Sequence, residues 1–156
     1  MESNEGKMDR AKERDTRDMR IKGGYSEVVI EHWLNPRNFG QLKSYDGYSG
    51  RITSPCGDAM WVWLRVYDNV ILNATYVSDI CIGAVASGSM ATEMVKGKRI
   101  KDALRISSED ILRALGGLPE NYIHCAALAD KTLKAAIRDY NAYKDAPWKR
   151  LYRQQY

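Results

Sequence analysis

The sequence has no apolar run near the ~20 residues needed to cross a bilayer, and no apolar stretch of signal-peptide type near its start. A membrane-spanning or exported chain is therefore not expected. The first residues are rich in acid (Glu2, Glu5, Asp9, Glu13, Asp15, Asp18), which argues against a transit peptide. The net charge is only +4, and no basic stripe is interleaved with aromatics, so nucleic acid is not an expected partner. No C-x-x-C pair occurs, which disfavours a zinc ribbon or a stable ferredoxin-type site. Cysteine is scarce, at three residues in 156, and the odd count excludes a closed disulfide framework. A reducing, cytoplasmic compartment is expected, where cysteines are kept for metal or reactivity.

What remains is an ordinary globular composition. Hydrophobic residues make up 44% and charged residues 28%, and 156 residues suit one domain with a real core. Residues 1–24 are mixed charge with almost no apolar content, and are expected to form a mobile tail. A basic tail with Trp148, Lys149, Arg150 and Arg153 is expected over 145–156.

Between the tails the patterning changes. Ser26 is placed to cap a helix through Val28, Val29, His32 and Trp33, which Asn35-Pro36 ends. His32, in mid-helix, reads as a surface or capping histidine. Residues 37–50 read as a loop, then Gly50–Ser54 as a short strand. Met60–Tyr67 alternates Met60, Val62, Leu64 and Val66 against Trp61, Trp63, Arg65 and Tyr67. Val70–Asp79 alternates again, with Val70, Leu72, Ala74 and Tyr76 on one side. Asp68-Asn69 suits a tight hairpin turn with positive φ. Trp61 and Trp63 leave the second face open to two readings, covered packing or a partner surface. A small-residue helix is expected over 83–95, ending at Gly97. A short helical turn follows at Ile100–Leu104, then a helix capped by Ser107 with Asp110. A long amphipathic helix spans about Ile123–Tyr143.

The chemistry gathers at the cysteines. Cys56 lies in Ser54-Pro55-Cys56-Gly57-Asp58, a turn that exposes its side chain. Cys81 directly precedes the small-residue helix, and Cys125 follows His124 at the start of the long one. Helix starts favour a thiolate over a thiol. One loop and two helix starts converging at one end of a sheet would offer three soft sulfurs, a carboxylate and an imidazole. That set suits a pair of iron ions with bridging sulfide, or one zinc ion. Each residue also has a plainer reading: buried cysteines are usually inert, Asp58 suits a turn, and His124 a surface position.

Several runs carry a resemblance. They are Tyr25-Ser26-Glu27-Val28-Val29-Ile30-Glu31-His32, Asn35-Pro36-Arg37-Asn38-Phe39-Gly40, and Pro55-Cys56-Gly57-Asp58. Cys81 with Ala84-Val85-Ala86-Ser87-Gly88-Ser89-Met90, Glu93 and Lys96-Gly97-Lys98 adds to them. So do Leu118-Pro119, Ile123-His124-Cys125 and Lys134-Ala135-Ala136-Ile137-Arg138-Asp139-Tyr140. Over about 25–144 the chain resembles the IscU/NifU family of iron–sulfur cluster assembly scaffolds.

The resemblance implies an α+β fold, with a small three-stranded, mainly antiparallel sheet and helices packed on one face. It implies that Cys56, Asp58, Cys81, His124 and Cys125 form an assembly site for a [2Fe-2S] cluster built from iron and sulfur, where zinc also binds. A cysteine desulfurase supplies the sulfur and apo-proteins receive the cluster, without enzymatic turnover. Frataxin-like and chaperone proteins are further implied partners, and the oligomeric state is monomer or weak homo-oligomer. The alternative is a zinc-binding structural or sulfur-acceptor protein using the same three cysteines, aspartate and histidine. Two departures stand out. Ile80 replaces the glycine usual before the second cysteine, adding bulk that restricts the loop or shields the site. Leu118-Pro119-Glu120-Asn121-Tyr122 lacks the lysine that a dedicated Hsp70-type chaperone reads, which puts chaperone-driven release in that form in question.

Overall fold

The computed structural model describes residues 23–149. The expected N-terminal tail, up to residue 22, and the last residues of the expected basic tail, 150–156, lie outside them. Helix α1 (Glu27–Leu34) starts where Ser26 Oγ accepts the Val29 N–H at 3.1 Å. Four strands follow: β1 (Gly47–Tyr48), β2 (Ile52–Thr53), β3 (Ala59–Tyr67) and β4 (Val70–Ser78). Then come α2 (Ile82–Val95), α3 (Ile100–Ala103), α4 (Ser108–Ala114), a 3-10 turn at Glu120–Tyr122, and α5 (Ile123–Tyr143).

The sheet is antiparallel around β3, with β4 on one side and both β1 and β2 on the other. Three strands were expected, and the sheet has four. The third lane is broken in two, and β1 falls inside the segment read as a loop. Ser49 causes the break. Its side-chain oxygen, not a backbone carbonyl, accepts the Val62 N–H at 2.8 Å, while its own N–H donates to the Val62 carbonyl at 3.0 Å.

The β3–β4 hairpin turns at Asp68 (φ 50°) and Asn69 (φ 60°), as the sequence predicts. The expected alternation in β4 fails at its start. Arg65 pairs with Asn73 but Val66 pairs with Ile71, so Leu72 is an extra residue. This bulge swaps the faces: Ile71 is fully buried and Leu72 stands in solvent.

Met60, Val62, Leu64, Ile71, Ala74 and Tyr76 form the inner face and join Ala84, Ala91, Leu128, Leu133 and Ile137 of α2 and α5 in one core. The small side chains of α2 let it approach closely. A Cβ on Gly88 would lie 2.4 Å from the Tyr76 ring. On the outer face Trp63 is buried under Tyr48, their rings stacked at 5.2 Å, and the Arg51 guanidinium lies 6.0 Å from the Trp61 ring. That favours the covered-packing reading of these tryptophans.

His32 is not at the surface. It is buried, with Nδ1 2.7 Å from Ser89 Oγ on α2, and the same oxygen accepts the Arg37 N–H at 2.9 Å. The signal was present: His32 lies three residues after the buried Val29, on the same stripe of α1. The Ser107–Asp110 capping box closes as expected. No helix among the described residues is long and apolar enough to cross a membrane.

Candidate metal centre

The start of β3 and the end of β4 lie side by side, with Met60 opposite Ser78. The β2–β3 loop, carrying Cys56 and Asp58, therefore opens beside the β4–α2 junction, carrying Cys81. The loop is closed by the Ser54 N–H donating to the Asp58 carbonyl at 2.8 Å. Cys81 is the N-cap residue of α2, held by its N–H donating to the Asp79 carbonyl at 2.9 Å. Cys125 sits in the first turn of α5. The two helix starts meet at Gly83, where a Cβ would lie 2.8 Å from Cys125 Sγ. Only a residue without a side chain lets the buried thiol occupy that place.

Asp58, His124 and Cys125 form the tight group, their ligand atoms all within 4.8 Å of one another. His124 Nε2 lies 3.5 Å from Asp58 Oδ2 and 3.7 Å from Cys125 Sγ. Ligand atoms around a tetrahedral ion with bonds of ~2.0–2.3 Å stand about 3.3–3.8 Å apart, and both distances from His124 Nε2 fall in that range. One nitrogen faces both the carboxylate and the sulfur.

The cysteines differ in exposure: Cys56 exposed, Cys81 half-buried, Cys125 buried. Burial pushes the Cys125 thiol up. The charges of Cys81 and Asp58, a hydrogen bond with Cys81, and the charge of Cys56 push the same way. The neighbouring anionic groups thus raise the cost of ionising Cys125, which a cation reverses. Cys81 adjoins the tight group through Cys125, and Cys56 stands at its exposed rim.

Tyr25 and Tyr122, not singled out from the sequence, flank the site, with ring centroids 5.9 Å apart. Burial and a hydrogen bond with Tyr122 push the Tyr25 phenol up, with smaller contributions from Cys81 and Cys125. Ile80 does not cover the site as a shield. It is 85% exposed, at the centre of the turn before Cys81.

The family profile for the NifU-like N-terminal domain matches residues 24–146. The chain belongs to the NifU-like N-terminal domain family. Iron-sulfur cluster assembly scaffold protein IscU 1 of Archaeoglobus fulgidus is 44% identical to it over 117 residues, 74% of this chain and 76% of that one. Iron-sulfur cluster assembly scaffold protein IscU of Escherichia coli K12 is 42% identical over 126 residues, 78% of this chain and 98% of that one. Among solved structures, the N-terminal NifU-like protein of Brucella abortus aligns at a TM-score of 0.56, covering 76% of this chain and 94% of that one. At 22% identity that likeness speaks for the fold, and an α+β fold of the NifU-like kind is what the chain has.

Proposed function

We propose that this NifU-like domain is a scaffold on which a [2Fe-2S] cluster is built and from which it is handed on. Iron and sulfur are its cargo, and it need turn over no substrate. In this reading Cys56, Cys81 and Cys125 hold the cluster, with Asp58 and His124 as further donors. A cysteine desulfurase supplies the sulfur as persulfide and apo-proteins take the product, with frataxin-like and chaperone proteins as accessory partners.

The observation that carries the reading is the mixed donor set at one end of the sheet. The ligand atoms of Asp58, His124 and Cys125 lie within 4.8 Å of one another, with Cys81 near enough to Cys125 for its charge to push that thiol up. Soft thiolates supply affinity for iron and sulfide, while a hard carboxylate is poorly matched to that set and easily displaced. A scaffold needs both properties. Zinc competes for the same donors in isolated protein, so metal content alone does not test the reading.

The test is anaerobic reconstitution with ferrous iron, cysteine and a cysteine desulfurase, followed by visible absorption and circular dichroism. Wild type is expected to develop cluster bands. Cys56→Ser, Cys81→Ser and Cys125→Ser are each expected to lose them, because serine offers a mostly protonated oxygen. If any two of these variants reconstitute as well as wild type, the ligand assignment is wrong.

A further inference from the structure

Ser54 closes the loop that carries Cys56 and Asp58, and its polar groups are unevenly used. Its N–H donates to the Asp58 carbonyl at 2.8 Å, and its carbonyl accepts the Gly57 N–H at 3.0 Å. Its hydroxyl is buried and has no hydrogen-bond partner among the described residues. The residue as a whole is 9% exposed. A buried hydroxyl without a partner is unfavourable, so natural folds seldom keep one without a use.

Five other serines around the fold are engaged. Ser26, Ser49, Ser78, Ser89 and Ser107 all bond through their side chains. Ser87 Oγ and Thr75 Oγ1 are also without partners, but they lie on regular elements. Ser87, within α2, can reach the carbonyl four residues back by rotating its side chain, and Thr75 lies in the middle of β4, not in a loop that carries a candidate donor. Ser54 lies outside any helix. It follows the last residue of β2, and the next residue, Pro55, has no N–H to offer. Two peptide units separate it from Cys56, so their Cα atoms are at most about 7.6 Å apart. Thiolate and sulfide sulfurs accept hydrogen bonds, and such bonds tune both the lifetime and the reduction potential of a cluster.

We propose that the Ser54 hydroxyl is a donor held in reserve for the sulfur-rich cargo, a positioning residue that bonds the Cys56 thiolate or a cluster sulfide only when the site is loaded. The inference rests on the reading of Cys56 as a cluster ligand. It gives substitution at Ser54 opposite effects on the empty and loaded protein. The empty protein loses an unsatisfied group. The loaded protein loses a hydrogen bond.

The test compares wild type with Ser54→Ala in three measurements on the full chain: melting of the chelator-treated protein, half-life of the reconstituted cluster under a competing chelator, and its reduction potential. Empty Ser54→Ala is expected to melt at or above the wild-type temperature. The loaded variant is expected to lose its cluster roughly three- to tenfold faster, the size of one lost hydrogen bond, at a more negative potential. Ser54→Thr, which keeps the hydroxyl, is expected to keep the wild-type potential. Unchanged half-life and potential in Ser54→Ala overturn the proposal. So does a lower melting temperature of the empty variant, which makes the hydroxyl structural. Wild type that takes up no cluster overturns the scaffold reading itself, and this proposal with it. Wild type that loads while Ser54→Ala behaves identically overturns only the role of Ser54.

Discussion

His124 Nε2 faces Asp58 and Cys125 at 3.5 and 3.7 Å, so the carboxylate is held against the sulfur site and is not free in its turn. As the one hard donor in the set, it is the one most easily exchanged for water or an incoming thiol. Asp58→Ala is therefore expected to keep a cluster on the three cysteines and to pass it more slowly to an apo-ferredoxin. Circular dichroism under argon follows the transfer, and a rate equal to or above wild type would make Asp58 a turn residue only. Gly83 makes a second prediction. Alanine in place of glycine favours a helix interior by up to about 1 kcal/mol. Here its Cβ would lie 2.8 Å from Cys125 Sγ, and overpacking of that kind costs about 1–3 kcal/mol. Gly83→Ala is expected to melt lower and to load poorly, whereas a higher melting point would show that Cys125 moves aside freely. The cysteines, Asp58 and His124 stand out as candidate donors from residue type and local punctuation, and the fold brings Asp58, His124 and Cys125 together. Gly83 and the Tyr25–Tyr122 pair do not stand out, because each acts across a gap that only packing closes.

At the scale of elements, the helices were legible where their ends carry side-chain signals. Ser26, Ser107 with Asp110, and Asn35-Pro36 fix boundaries through local hydrogen bonds and sterics that the sequence states directly. The sheet was less legible. A reading by alternation assumes that no residue is inserted, and the extra Leu72 breaks that assumption without a local signal. The edge lane split for a similar reason, since the Ser49 side chain takes a role that pattern assigns to backbone. Ser89 shows how elements are locked once formed. Its hydroxyl pairs with His32 Nδ1 of α1 and accepts the Arg37 N–H of the following loop, tying both to α2. Burial holds the His32 imidazole below its ordinary range, in keeping with a neutral ring that accepts from the serine. Ser89→Ala leaves two buried or half-buried groups without partners and is expected to cost about 1–3 kcal/mol. Urea unfolding should show a lower midpoint at unchanged slope. An unchanged midpoint would mean that both groups find other partners.

For the whole molecule, the decisive feature is that the candidate donors come from three distant stretches of chain: the β2–β3 loop, the start of α2 and the start of α5. The family was legible because matching motifs run along most of the chain, but the electrostatics among the candidate donors required the fold. A ligand that binds only the folded arrangement stabilises it by RT ln(1 + [L]/Kd), about 2.7 kcal/mol at a hundredfold excess over Kd. The pH dependence follows from Cys125. In the folded, empty protein its thiol is held above its ordinary range, first by burial and then by the charges of Cys81 and Asp58. An unfolded chain ionises its cysteines near pH ~8.5. Below that pH the folded and unfolded states hold this proton equally. Above it the unfolded state loses the proton first, so the stability of the empty protein falls as pH rises towards the folded value. Zinc reverses the sign, because binding takes thiolate and expels the proton. Melting temperatures of chelator-treated and zinc-loaded protein, measured from pH ~6.5 to ~9.5, are expected to separate steadily. The empty form should decline above about pH 8.5 while the loaded form holds. A gap that stays constant or narrows would show that the buried thiolate is not among the atoms that bind the metal.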